Sequence, residues 1–119
     1  YFCDLSTSTT ELDVVLAVAH SMGIELRNAD PQAQLLSVFS DIKTILVLDN
    51  LEQVIEPCAN VLKTWCAASS NLRIITTSRI RLKMASETVV PVSTLSTLEA
   101  IQLFAQRYSC RQMWETCLP

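Results

Sequence analysis

The run Thr44-Ile45-Leu46-Val47-Leu48-Asp49-Asn50 constrains this chain more than any other segment. Large apolar residues follow one another from Ile45 to Leu48 and end abruptly in a carboxylate. A short unbroken apolar run of this kind suits a strand buried on both faces, as in a parallel sheet covered by helices. An aspartate at its end then falls at the carboxyl edge of the sheet, where open α/β folds bind ligands. Taken alone, the motif reads equally well as a core strand followed by an aspartate that opens a turn.

A second segment repeats the logic. In Leu72-Arg73-Ile74-Ile75-Thr76-Thr77-Ser78-Arg79 an apolar stretch runs into small hydroxyl residues and then an arginine. If the two strands are parallel, Asp49 and Arg79 project from the same sheet edge. A carboxylate there suits a magnesium ion held through water, because magnesium prefers oxygen ligands and keeps part of its hydration shell. A guanidinium suits a phosphate, which it meets with a planar two-pronged fork. Together they describe half of a nucleoside triphosphate site. The plainer alternative is that Arg79 solvates a loop or pairs with Asp49.

The surrounding pattern alternates strand and helix. Tyr1 to Leu5 reads as a strand, and the Ser/Thr cluster after it as a turn with capping residues. Leu12, Val15, Leu16, Ala19 and Met22 share one helical stripe, which Gly23 is placed to end. Asp30-Pro31 supplies an N-cap and a proline at the first helical position, and Leu35, Leu36 and Phe39 give that helix its buried side. Leu51, Val54, Ile55, Cys58, Val61, Leu62 and Trp65 mark a long amphipathic helix, with Pro57 predicting a kink or a broken first turn. A short extended segment follows at Thr88 to Val92, then a last helical stripe at Leu98, Ile101, Phe104 and Ala105. This order predicts an α/β fold with a mostly parallel sheet and right-handed crossovers.

The stretch from Ile45 to Leu95 resembles the nucleotide-binding domain of the STAND class of P-loop ATPases. The nearest branch is that of the bacterial LuxR-type and antibiotic-regulatory-type transcriptional regulators, related to the NB-ARC domain. The resemblance is carried by ILVLDNLEQV, LRIITTSRIRL and SETVVPVSTLSTLEAIQLF, in that family the Walker B strand, the sensor-1 strand and the lead into a helical subdomain. YFCDLS at the start is similar to the family's strand between the phosphate-loop helix and Walker B. The likeness implies a partial nucleotide-binding domain over residues 1–95, the start of a helical subdomain at 96–108, and an unassigned tail at 109–119.

The P-loop itself is not in the sequence. No G-x-x-x-x-G-K-[ST] occurs, and Gly23 is the only glycine. A phosphate cradle needs glycines so that backbone N–H groups can converge on the anion, and a lysine to reach the terminal phosphates. The chain also begins at Tyr1, already in an apparent strand. The expectation is therefore a fragment of a three-layer P-loop fold lacking its first strand and phosphate loop, with exposed apolar edges and an aggregation hazard as consequences.

For single residues the resemblance implies the following. Asp49 matches the Walker B aspartate, counted among the catalytic residues with magnesium positioning as its implied role. Asn50 stands where many relatives carry a second acid; an asparagine orients water but cannot take its proton, so hydrolysis should be slow. Glu52 is the nearest spare carboxylate, though its place early in a helix also suits the helix dipole. Arg79 matches the sensor-1 arginine that reads the terminal phosphate. Thr76, Thr77 and Ser78 either line the site or make the turn. Arg81 and Lys83 read as surface charges, and Glu87 as structural. The implied cofactors are ATP or ADP with Mg2+, and the implied role is a nucleotide-dependent switch in a transcriptional regulator, with room for homo-oligomerisation through the full-length protein. The alternative is a non-catalytic α/β module that binds a protein partner. A receiver-like signalling domain fits the alternation, but Asp4, Asp49 and Lys83 match its acidic cluster and lysine only loosely.

Composition bounds the rest. Half of the 119 residues are apolar and the net charge is −3, so this segment carries no basic footprint for direct nucleic-acid binding. No stretch reaches the roughly 20 apolar residues of a membrane span. Cys3, Cys58, Cys66, Cys110 and Cys117 are odd in number and lack C-x-x-C spacing, and His20 has no partner for zinc or nucleophilic chemistry. Cys58 and Cys66 fit small core hydrophobes, and reduced cytoplasmic thiols are the default.

Overall fold

A computed structural model describes residues 1–27 and 30–107. The tail 109–119, with Cys110, Trp114 and Cys117, lies outside them. The chain divides into two units, Tyr1–Thr88 and Val89–Pro119.

The first unit is α/β. Strand β1 (Phe2–Asp4) is followed by helices α1 (Glu11–Ser21) and α2 (Pro31–Asp41), strand β2 (Thr44–Asp49), a short 3-10 helix (Leu51–Gln53), helix α3 (Ile55–Ala68) and strand β3 (Leu72–Thr76). The strands form one parallel sheet in the order β1-β2-β3. Both crossovers step in the same direction across the sheet. Right-handed connections therefore put all three helices on one face, and α1, α2 and α3 do pack against one another.

Local chemistry explains where the helices start and stop. At α1, Thr10 accepts the Asp13 backbone N–H while the Asp13 carboxylate accepts that of Thr10, a capping box. Gly23 follows the last turn at φ 69°, left-handed backbone that disfavours a side chain. Asp30 caps α2 through the Ala33 N–H at 3.0 Å, with Pro31 in the first turn as expected. Pro57 also behaves as predicted: the helical stripe from Leu51 is interrupted, and α3 begins at Ile55 with Pro57 in its first turn.

The core lies between the helices and one face of the sheet. Leu46 and Leu48 of β2, Cys3 and Leu5 from the first segment, Val14 and Val18 of α1, Leu35 and Phe39 of α2, and Cys58, Val61 and Trp65 of α3 are buried together. Phe39 and Trp65 meet edge to face, with ring centroids 5.3 Å apart.

Three sequence expectations need correction. Strand β2 is not buried on both faces: Ile45 is 59% exposed while its neighbours Thr44 and Leu46 are buried. The register sets Phe2, Val47 and Ile75 side by side on that same open face. An unbroken apolar run cannot distinguish a strand covered twice from one covered once. The buried stripe of α1 is Val14, Val15, Val18 and Ala19, and Leu12 and Leu16 are exposed. Equally spaced apolar residues on two adjoining stripes left that choice to the neighbouring α2 and α3. Cys66 is exposed, one position beyond the buried Trp65.

The second unit contains α4 (Thr97–Arg107), started by Ser96, whose hydroxyl and backbone N–H are both held by the Glu99 carboxylate. The stripe Leu98, Ile101 and Phe104 is exposed. The segment expected to be extended, Thr88 to Val92, joins no strand among the described residues.

Candidate functional site at the carboxyl edge of the sheet

Parallel pairing brings the ends of all three strands to one edge. Asp4 pairs in register with Asp49, and Leu48 with Thr76, so Asp4, Asp49 and Thr77 lie across that edge in a row. Thr77 continues the row beyond β3, with its N–H bonded to Leu48 O at 3.0 Å and its carbonyl receiving Leu51 N–H at 3.1 Å.

Asn50 makes the turn out of β2. Its backbone sits at φ 61°, ψ 41°, a left-handed conformation that asparagine tolerates better than most side-chain-bearing residues. Its backbone N–H donates to Thr77 Oγ1 at 3.2 Å, and the Thr77 hydroxyl in turn donates to Asp49 Oδ1 in a short contact. The Asn50 side-chain amide donates to Asp4 Oδ1 at 2.9 Å and, more loosely, to Asp49 Oδ2 at 3.4 Å. Asp4 Oδ1 also receives the Ser6 backbone N–H at 2.9 Å. The Asn50 amide first, and then the Ser6 N–H, holds the Asp4 carboxyl below its ordinary range. Three strand ends are thus laced by one hydroxyl and one amide around two carboxylates.

Glu52 and Arg79 form a separate pair at the same edge. Arg79 Nε donates to Glu52 Oε1 at 2.9 Å; the glutamate side chain is 14% exposed and the arginine 82%. The Glu52 carboxyl is held below its usual value, foremost by its own backbone N–H and further by Arg79. Arg79 therefore pairs, but with Glu52 and not with Asp49. The pair engages the guanidinium at Nε, and its Nη edge is the part that a planar anion can grip.

The other sequence candidates sort clearly. Ser78 accepts the Ile80 N–H at 3.1 Å and so shapes the turn after β3. Thr76 is half-buried within the strand. Glu87 accepts the N–H groups of Leu82 and Lys83 at 3.1 and 2.9 Å, stabilising a turn in which Lys83 is left-handed. Arg81 and Lys83 are exposed. Asp4, which the sequence reading weighed only for a receiver-like acidic cluster and not for the nucleotide site, joins this edge because an aspartate closing a strand that pairs with the Asp49 strand must end there.

Among the described residues, no helix is long and apolar enough to cross a membrane. They also contain no group of three or more His, Cys, Asp or Glu side chains placed to hold a metal ion. Burial raises the thiols of Cys3, Cys58 and Cys66 above the ordinary cysteine value, Cys58 to about 12, so none is primed as a nucleophile.

No known family model matches the chain, and no solved structure matches it. Curated proteins do. An uncharacterized protein of Mycobacterium tuberculosis is 31% identical over 107 residues, 88% of this chain and 27% of that protein, and one from Mycobacterium bovis aligns to the same extent. A second Mycobacterium tuberculosis protein, provisionally named an HTH-type transcriptional regulator, is 31% identical over 110 residues, 91% of this chain and 12% of that protein. The chain thus spans about a quarter of the length of the first relatives and about an eighth of the regulator.

Proposed function

We propose that this chain supplies the Walker B and sensor-1 half of a STAND-class nucleotide switch in a cytoplasmic transcriptional regulator. The observation that carries the reading is the parallel-sheet edge itself. It brings Asp49 and Arg79, far apart in sequence, to one side of the molecule, as the resemblance requires. The relative named as an HTH-type regulator supports the regulatory context, and its much greater length leaves room for an output domain elsewhere.

The residues present fit a magnesium nucleotide. Asp49 Oδ1 is occupied by the Thr77 hydroxyl, while Oδ2 has only the loose 3.4 Å contact from Asn50 and is the better acceptor for a water of the ion's shell. When bound, the ion would neutralise phosphate charge. Thr77 fixes the rotation of the Asp49 carboxylate. Arg79, tethered at Nε by Glu52, would be the residue to hold a terminal phosphate. This gives Glu52 an orienting task in place of a chemical one. Asn50 orients a water without accepting its proton, so turnover is slow and the domain acts by shifting between nucleotide-dependent arrangements. The glycine-rich loop and its lysine would come from outside these 119 residues.

The test is calorimetry with ATP and magnesium on this chain and on a form extended upstream through a phosphate loop. The expected result is binding by the extended form alone, lost with Asp49→Ala or Arg79→Ala. If neither form binds, the nucleotide reading fails. The second reading, a partner-binding scaffold without nucleotide, then takes its place. It has its own support in the open apolar sheet face of Phe2, Ile45 and Ile75.

A further inference from the structure

We propose that Asp4, to which the resemblance assigns no role, is a positioning residue: its carboxylate sets the orientation of the Asn50 side chain and leaves the carbonyl oxygen Oδ1 as the group offered to a ligand. The bearing of this on catalysis rests on the nucleotide reading; the positioning itself does not.

An asparagine amide has two chemically opposite ends, a donor NH2 and an acceptor oxygen, and only its partners determine which points where. Here both side-chain partners are carboxylate oxygens, Asp4 Oδ1 at 2.9 Å and Asp49 Oδ2 at 3.4 Å. A flipped amide would set its oxygen against theirs, acceptor against acceptor. The shorter and better bond is the one to Asp4, so Asp4 contributes most to the choice. Asp4 is itself held by the Ser6 N–H and by its place in β1, and the Asn50 backbone is held by Thr77. The amide is fixed from both ends.

The arrangement also accounts for an amide at position 50. A carboxylate there would stand beside Asp4 and Asp49, three like charges at one edge, each raising the cost of ionising the others. Asp4 and Asn50 thus form a matched pair, with the acid on β1 and the amide on β2. In the proposed site a water near Asn50 would meet an acceptor, which orients the water's proton without removing it.

Nuclear magnetic resonance of the Asn50 side-chain amide in the 119-residue chain tests this directly. The expected result is a pair of well-separated, slowly exchanging NH2 signals. Asp4→Ala should collapse them to the values of a free amide, while the backbone amides of Leu48 and Thr77 stay in place. A free, fast-exchanging Asn50 amide in the unsubstituted chain overturns the proposal, whether or not any variant folds. So does a pair of signals that Asp4→Ala leaves unchanged. The exchanged pair, Asp4→Asn with Asn50→Asp, should restore a protected side-chain amide, now at position 4; a mobile amide there also counts against the pairing. A held Asn50 amide in a protein that fails to bind ATP with magnesium when extended sinks the nucleotide reading alone. ATP binding with a free Asn50 amide sinks only the Asp4 assignment.

Discussion

The two faces of β2 differ more than its sequence suggests. Leu46 and Leu48 are wholly buried beneath α1, α2 and α3, whereas Ile45 on the opposite face is 59% exposed. All are large aliphatic residues within four positions of one another. What separates them is the two-residue period of the strand and the placing of every helix of the first unit on one side. The covered face holds the fold together. The open face, with Phe2 and Ile75 flanking Val47, contributes little to it and is available to be covered.

Mutations on the two sides should separate sharply. Trp65→Ala removes the largest buried side chain and should cost about 3–5 kcal/mol, and Leu48→Ala about 2–5 kcal/mol. Ile45→Ala, on the open face, should cost under about 1 kcal/mol, in line with surface substitutions generally. Urea unfolding of the three variants checks this. An Ile45→Ala loss as large as that of Leu48→Ala would mean that the outer face is packed against something in solution.

A sharper form replaces Ile45 and Ile75 together by lysine. Removing two exposed apolar side chains from an open sheet face should raise the concentration at which the chain stays monodisperse and leave its circular dichroism unchanged. Loss of structure in this double variant would contradict an open face more strongly than any truncation to alanine.

The sequence revealed the elements better than their surroundings. Caps and breakers act locally, so Asp30-Pro31, Gly23 and Pro57 could be placed from the chain alone, and the strand end at Asp49 followed from where apolar residues stop. The third strand, read as Leu72 to Thr77, ends one residue earlier at Thr76. Which face of a strand or helix is covered depends on residues far away. The apolar run from Ile45 to Leu48 carries no mark of a missing layer, and Leu12 and Leu16 look as core-like as Val14 and Val18. The site shows the same division. That Asp49 and Arg79 share an edge follows from parallel strands. That Arg79 takes Glu52 as its partner, and that Asp4 enters through Asn50, depends on a left-handed turn at residue 50 and on a short 3-10 helix that no periodicity announced.

The edge and the body can be compared in turn. Thr77→Val keeps the side-chain shape and removes the hydroxyl between Asp49 and the Asn50 N–H. Because Thr77 is exposed, the loss should be about 1 kcal/mol or less, with water replacing it. In the extended form, however, it should weaken binding of ATP with magnesium at least several-fold, because Asp49 is freed to rotate. An unchanged affinity would remove Thr77 from the site and leave it a turn residue.

The smallest effect lies at the start of α1, in its capping box. The Asp13 carboxylate accepts the backbone N–H groups of Thr9 and Thr10 at 2.9 and 2.8 Å and the Thr9 hydroxyl at 3.0 Å. These bonds, the Thr9 N–H foremost, depress its pKa from 3.8 to about 2. A carboxyl depressed in the folded state stabilises that state fully above its unfolded value, and the contribution fades as pH falls from 3.8 through about 2. Asp13→Asn should therefore be less stable than the parent chain at neutral pH, and the gap should close over that acid window. Urea midpoints of both chains, stepped downward in pH, follow the closure. A gap that stays constant with pH would show that Asp13 acts on α1 through packing or helix propensity, and that the charge on the capping carboxylate has no part in it.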